Sequence, residues 1–344
     1  MPRNWPGGLI RKTPITPAGP YQNGAAPGVW TLDEATYWTK QGLWPIAGYT
    51  PRGLFGGGQR SGVRTNIIEY ITITTTGNAA DFGDLTVARD NSSACASSAR
   101  GLFGGGSASG SNYSNIIDYV TIATTGNATD FGDLTVGRYA LAACSSSTRG
   151  LFGGGATALI LNVIDYVTID TTGNATDFGD LSIARGEFGA CSSSTRGLFG
   201  GGSTGSRSNV IDYVTIATTG NATDFGDLTV ARDRVASCSS STRGVFGGGR
   251  DATPTIINVI DYVTIATTGN ATDFGDLTVA RQYLAACSST LRGVFGGGNV
   301  GGATNSNVLD YITIATAGNA TDFGDLTGTC YTLAACSNVH GGLS

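Results

Sequence analysis

The residues with the most capacity for chemistry in this chain of 344 residues are one histidine, His340, and seven cysteines. A single imidazole cannot supply an acid–base pair or a set of metal ligands, so most hydrolytic and metal-dependent mechanisms lack their parts. Cys95, Cys144, Cys191, Cys238, Cys287 and Cys336 occupy one position of a repeat, and neither C-x-x-C nor a paired Cys/His spacing occurs. Rotational equivalence holds such residues apart, so they read as small buried core residues rather than as a zinc site or a disulfide framework. Cys330 and Cys336 are the one close pair, where a bridge would be an extra staple. D-F-G, as at Asp130-Phe131-Gly132, is present six times without a phosphate-binding lysine or an H-R-D loop, which excludes a kinase. The G-G-G runs lack a following G-K-[ST] and a helix, so they read as close backbone packing at a strand end, not as a phosphate cradle. N-A-T at Asn127, Asn174, Asn221, Asn270 and Asn319 matches the glycosylation sequon, but without a secretory signal these read as hairpin tips. Paired aspartates, Asp130 with Asp133 and Asp224 with Asp227, could collect calcium. Accepting turn N–H groups, or pairing with the Arg that opens the next link, is the preferred reading. The expectation is no catalytic residue, no metal and no cofactor, in a protein that is not an enzyme.

The elements that place these residues are repeated. G-[LV]-F-G-G-G puts its Phe at 55, 103, 152, 199, 246 and 295, spacings of 48, 49, 47, 47 and 49 residues. Each unit continues through N-[IV]-[IL]-[DE]-Y-[VI]-T-I, a T-[TA]-G-N-A turn, D-F-G-D-L, and A-C-[SA]-S before the next R-G-[LV]-F, which makes four short β runs. In the third run Val210, Asp212, Val214 and Ile216 share one face and Ile211, Tyr213 and Thr215 the other. Gly220-Asn221 supplies the turn that pairs this run antiparallel with the fourth. The ends decide between an open solenoid and a ring. The Cys strand appears a sixth time at Cys336 with no G-[LV]-F-G-G-G after it, whereas the first such run, Gly53 to Gly58, has no Cys strand before it. The repeat is cut once, between its first and second strands, and an open stack would leave both half-units as exposed edges. The expected fold is all-β, a six-bladed propeller over about 52–340 closed by a C-terminal strand, within a domain of residues 52–344.

Ahead of it lies different material. All four Trp (Trp5, Trp30, Trp38 and Trp44) and eight of the nine Pro fall in residues 1–51, which carry +2 and leave −7 for the rest of a chain of net charge −5. T-L-D-E at Thr31 to Glu34 has capping-box spacing and Gly42 is placed to end a helix. One short helix is therefore predicted at about 32–41, within an otherwise extended docking arm whose four Trp are the docking residues. Charged residues make up 13% of the chain and acidic ones outnumber basic, which argues against nucleic-acid binding. No apolar run reaches the ~18 residues of a membrane span.

The units resemble kelch repeats, which have a Gly doublet ending the second strand, a Tyr in the third, an aromatic in the fourth and an Arg soon after. Here the set is Phe103-Gly104-Gly105, Tyr119, Phe131 and Arg138, with equivalents in the other blades; the departures are Phe where kelch units usually carry Trp, and Cys330 in place of the last Arg. The near-identity of the blades, with N-A-T-D-F-G-D-L-T repeated, and the entry segment P-G-V-W-T-L-D-E-A-T-Y-W-T-K-Q-G-L-W-P resemble virion proteins of tailed phages, marine ones in particular. That resemblance implies a tail-fibre or appendage-like structural protein, made in the host cytoplasm and carried in multiple copies in the virion. It implies docking on other virion proteins through residues 1–51 and display of the propeller toward a host-surface glycan or protein. The alternative is a free carbohydrate-binding, lectin-like propeller with a shallow site per blade, against which the varied loops share no aromatic residue.

The sequence varies on one side only. Loops after G-G-G and links before Cys differ from blade to blade, while S-S-T-R-G and T-T-G-N-A-T-D scarcely change, and blade topology puts the two varied sets on one face. That face is the candidate contact surface. Its candidate recognition residues are Arg60, Arg64, Tyr113, Tyr139, Phe188, Arg207, Arg234, Arg250, Tyr283 and Tyr331.

Overall fold

The structure, a computed structural model, describes residues 50–108 and 113–343. Trp5, Trp30, Trp38, Trp44 and the helix expected at 32–41 lie outside the described residues. Arg52–Ser344 forms one compact unit, and it is an all-β, six-bladed propeller of four-stranded antiparallel sheets. In the fourth blade Gly189–Ser192, innermost, pairs with Arg196–Gly200, which pairs with Val210–Thr215, which pairs with Thr223–Asp227. The first blade draws on both ends of the unit: Ala334–Ser337 pairs with Arg52–Gly56, from Gly53↔Ser337 to Gly56↔Ala334. Strands of four to six residues cannot stand alone. Each sheet buries one set of side chains against the preceding blade and the alternate set against the next, so Leu151, Ile164 and Phe178 of the third blade pack with Phe199, Val214 and Ile216 of the fourth.

Residues of chemical promise in the sequence are mostly occupied in joining blades. A Cβ on Gly197 would lie 2.7 Å from Cys144 Sγ, and one on Gly150 would lie 2.6 Å from Cys95 Sγ, so the Gly of R-G-[LV]-F is the space that a neighbouring thiol fills. All seven cysteines are free and buried. Burial pushes the Cys191 and Cys336 thiols up to about 12, which keeps them protonated and inert near neutral pH. D-F-G is a β-bulge: Ile211 faces Gly226 and Asp212 faces Asp224, leaving Phe225 as the extra residue, 2% exposed. The G-G-G runs hold positive φ at their second and third residues, 67° at Gly105 and 103° at Gly106, and pack against backbone carbonyls of the link.

The paired aspartates of D-F-G-D do not receive the link arginine. Arg185 instead reaches Asp212 in the third strand of the next blade at 2.9 Å, both side chains fully buried, and donates to the Val210 and Phe199 carbonyls at 2.9 Å. The same pair recurs as Arg89–Asp118, Arg138–Asp165, Arg232–Asp261 and Arg281–Asp310. Burial pulls the Arg185 guanidinium below its ordinary value while Asp212 draws it back up. The carboxylate wins the arginine because its negative charge is buried at the same depth; an Asp at the sheet edge would leave the guanidinium without a counter-charge.

On the face of the constant turns, side chains do the joining. Arg149 lies 4.6 Å over the Tyr166 ring and donates to the Ile216 and Ala217 carbonyls of the next blade at 3.1 and 2.9 Å. Asn221 Oδ1 accepts the Asp180 N–H of the preceding blade at 3.0 Å. The N-A-T segments are therefore turns whose Asn clamps the neighbouring outer strand.

Candidate functional site: the varied face and its axial mouth

The varied face is built on backbone hydrogen bonds that are indifferent to side chains. Links and loops meet as isolated bridges, Asp90↔Ser107, Tyr139↔Ala156, Gly186↔Ser203 and Gln282↔Asn299 among them, and as the two-residue ribbon Asp233↔Arg250. Just inside these bridges, Asn91, Ala140, Glu187, Arg234, Tyr283 and Thr332 all take left-handed backbone, φ between 51° and 61°. Each N–H donates to the carbonyl of the equivalent residue one blade back, at 2.5–3.2 Å, and Asn91 donates to Thr332, so six bonds run round the axis without a gap. Left-handed backbone costs an ordinary residue roughly 1–3 kcal/mol, and the bond ring is what holds it there.

This ring frames a mouth of about 120 Å³. Glu187, Arg234 and Tyr283 interlock across it. Tyr283 O–H donates to Glu187 Oε1 at 2.8 Å, Arg234 Nε lies 3.3 Å from Glu187 Oε2, and the guanidinium sits 4.2 Å over the Tyr283 ring. Arg234 Nη1 also donates to Gln282 Oε1 at 2.7 Å. Burial first, then Glu187, pushes the Tyr283 phenol well above its ordinary value, so it stays a donor. Beside them Arg207 and Arg250 share the buried Asp233 at 3.3 and 3.0 Å.

The other sequence-predicted residues fall in three groups. Tyr113 stacks on Tyr139 at 5.1 Å, Tyr283 tilts against Tyr331 at 6.3 Å, and Tyr331 O–H donates to Gln59. Arg64 holds Asp90 at 3.2 Å and Ser107 at 3.0 Å and keeps part of its surface open. Two more make contacts within the fold. Phe188 is 5% exposed and packs edge-on against Phe199 within the core between blades, because an aromatic beside the bond ring has an apolar cleft to fill. Arg60 turns inward to Glu69 at 2.8 Å, where the first blade has Glu in place of Asp and the preceding link has Cys330 in place of Arg. It replaces the missing buried cation. Glu187, Asp233 and Gln282 belong to the site and were not among the predicted residues; the joint departure of Glu69 and Cys330 from the repeat was the available signal for Arg60.

At the far end of the axis, inner-strand hydroxyls pass hydrogen bonds from blade to blade, Ser192 Oγ to Ser145 O and Ser239 Oγ to Ser192 O, each at 2.7 Å. The sixth equivalent is Ala96, and His340 Nε2 lies 3.0 Å from its carbonyl. His340 Nδ1 accepts the Gly342 N–H at 3.1 Å, which assigns the proton to Nε2. Both nitrogens are thus engaged by backbone, so the imidazole is no base for Ser145, 3.4 Å away. No protein-family profile matches this chain, and a search of curated proteins finds none similar to it.

Proposed function

We propose that this protein is a non-enzymatic virion component of a tailed phage, a kelch-like propeller closed by its C-terminal strand, docked through residues 1–51 and presenting its varied face to a host surface. One observation carries the reading. Arg52, the first residue of the propeller, pairs with Thr72 at the strand ends beside the constant turns, on the face opposite the varied loops. A face framed by backbone bonds accepts new side chains at little cost to the fold. A chain lacking residues 1–51 is expected to keep its sheet signature in circular dichroism and to stop joining particles. Incorporation at the level of the whole chain would remove the docking role.

A further inference from the structure

The axial mouth is a blind polar pocket. It narrows to about 50 Å³ among the inner strands, where His340 is part of the wall. Beyond that, a Cβ on Gly341 or Gly342 would collide with the Ser145, Ser192 or Ser240 carbonyls, so the C-terminal turn shuts the far end. A pocket open at one end takes a terminus rather than a threaded strand. Its upper wall leaves space because Ala94, Ala143, Ala190, Ala286 and Ala335 are small. The rim offers side chains alone, since the ring bonds consume the N–H and C=O groups.

Charge at the rim selects the occupant. The charged residues lining the mouth are Arg234 and Glu187, one of each sign, and the neighbouring Asp233 is shared by Arg207 and Arg250. An ionic ligand would meet an opposing charge of its own sign within the cluster. A neutral hydroxyl gains from both, accepting from a guanidinium and donating to a carboxylate. Only one sector of the rim carries this set, because Asn91, Ala140 and Thr332 fill the other three positions.

We infer that the mouth binds one neutral, hydroxyl-rich ring per chain, the terminal sugar of a host-surface glycan, with Glu187 and Arg234 taking adjacent hydroxyls. The inference rests on the varied face being the contact surface, and it names the partner of that face. The test applies the full chain to an array of bacterial lipopolysaccharide and capsule oligosaccharides, with free galactose, glucose and mannose as competitors, and reads stoichiometry by calorimetry. One site per chain is expected. Glu187→Gln should weaken binding at least tenfold, and Ala335→Leu, which fills the wall and leaves the rim charges intact, should abolish it with the thermal midpoint unchanged. Six sites per chain, competition by uronic acids alone, or no glycan binding would each overturn the inference. Host-cell adhesion separates the two levels. If Leu159→Ser on the varied face lowers adhesion and Ala335→Leu does not, the sugar site falls and the contact face stands; if neither change alters adhesion, both fall.

Discussion

Where the buried ion pair departs from the repeat, Glu69 is 2% exposed and its cation comes from Arg60 rather than from the link. Removing one partner of a buried ion pair strands the other. Arg60→Ala should therefore cost about 2–3 kcal/mol, less than a fully buried pair because Arg60 keeps some contact with water, measured by urea unfolding. Restoring the repeat with Glu69→Asp and Cys330→Arg should make Arg60→Ala nearly neutral; an undiminished cost in that background would show that Arg60 acts otherwise. His340 gives a second residue-scale test. Burial holds its imidazole down at about 4 against an ordinary 6.5. Above pH 6.5 both folded and unfolded chains carry it neutral and stability is whole. As pH falls from 6.5 toward 4 the unfolded chain takes the proton first, so stability drains by up to about 3 kcal/mol. His340→Gln should flatten that slope between pH 6.5 and 4, and an unchanged slope would assign it to the carboxylates.

Between elements, a close fit joins the second strand of one blade to the Cys strand of the blade before. Gly53→Ala should destabilise by about 1–3 kcal/mol, since its Cβ would overlap Cys287 Sγ. Cys287→Ala in the same chain should recover most of the loss, because the remaining near atoms, Ile71 Cγ1 and Cys287 Cβ, would be 3.2 and 3.5 Å away. Equal destabilisation with and without the thiol would locate the strain elsewhere. The strand plan could be read from the residues because each structural task falls to a type repeated in nearly every blade: Phe in the bulge, Gly under the thiol, Asn in the turn. The left-handed ring could not. Its positions hold six different residues, of which Asn91 alone is a usual left-handed type, and its bonds are backbone to backbone. The Arg185–Asp212 pair was hidden for another reason: its members are 27 residues apart and belong to different blades, and alternation assigns Asp212 a face but no partner. At the site, the tyrosines and arginines of the varied loops stood out by type, whereas the packing of Phe188 against Phe199 depends on a neighbour that spacing within the link does not give.

For the propeller as a whole, the same contacts recur from the last blade to the first. Arg292 donates to the Thr74 carbonyl at 3.0 Å as Arg149 does to Ala217, and Ser288 N–H donates to Ser337 Oγ at 3.3 Å. A chain ending at Asp325 would expose the Gly53–Gly56 edge of the first blade, which Ala334–Ser337 otherwise pairs. It should lose the cooperative thermal transition; a transition unchanged in midpoint and sharpness would mean that the C-terminal strand is dispensable. The functional claim depends on two unlike faces, one of constant turns and the other of varied loops. An image of the assembled particle at side-chain resolution tests it most directly. Residues 1–51 should lie against another virion protein, with the loops of Arg64, Tyr113 and Arg250 pointing away from the particle. A propeller seated on the particle by those loops, with its constant turns outward, would contradict the account.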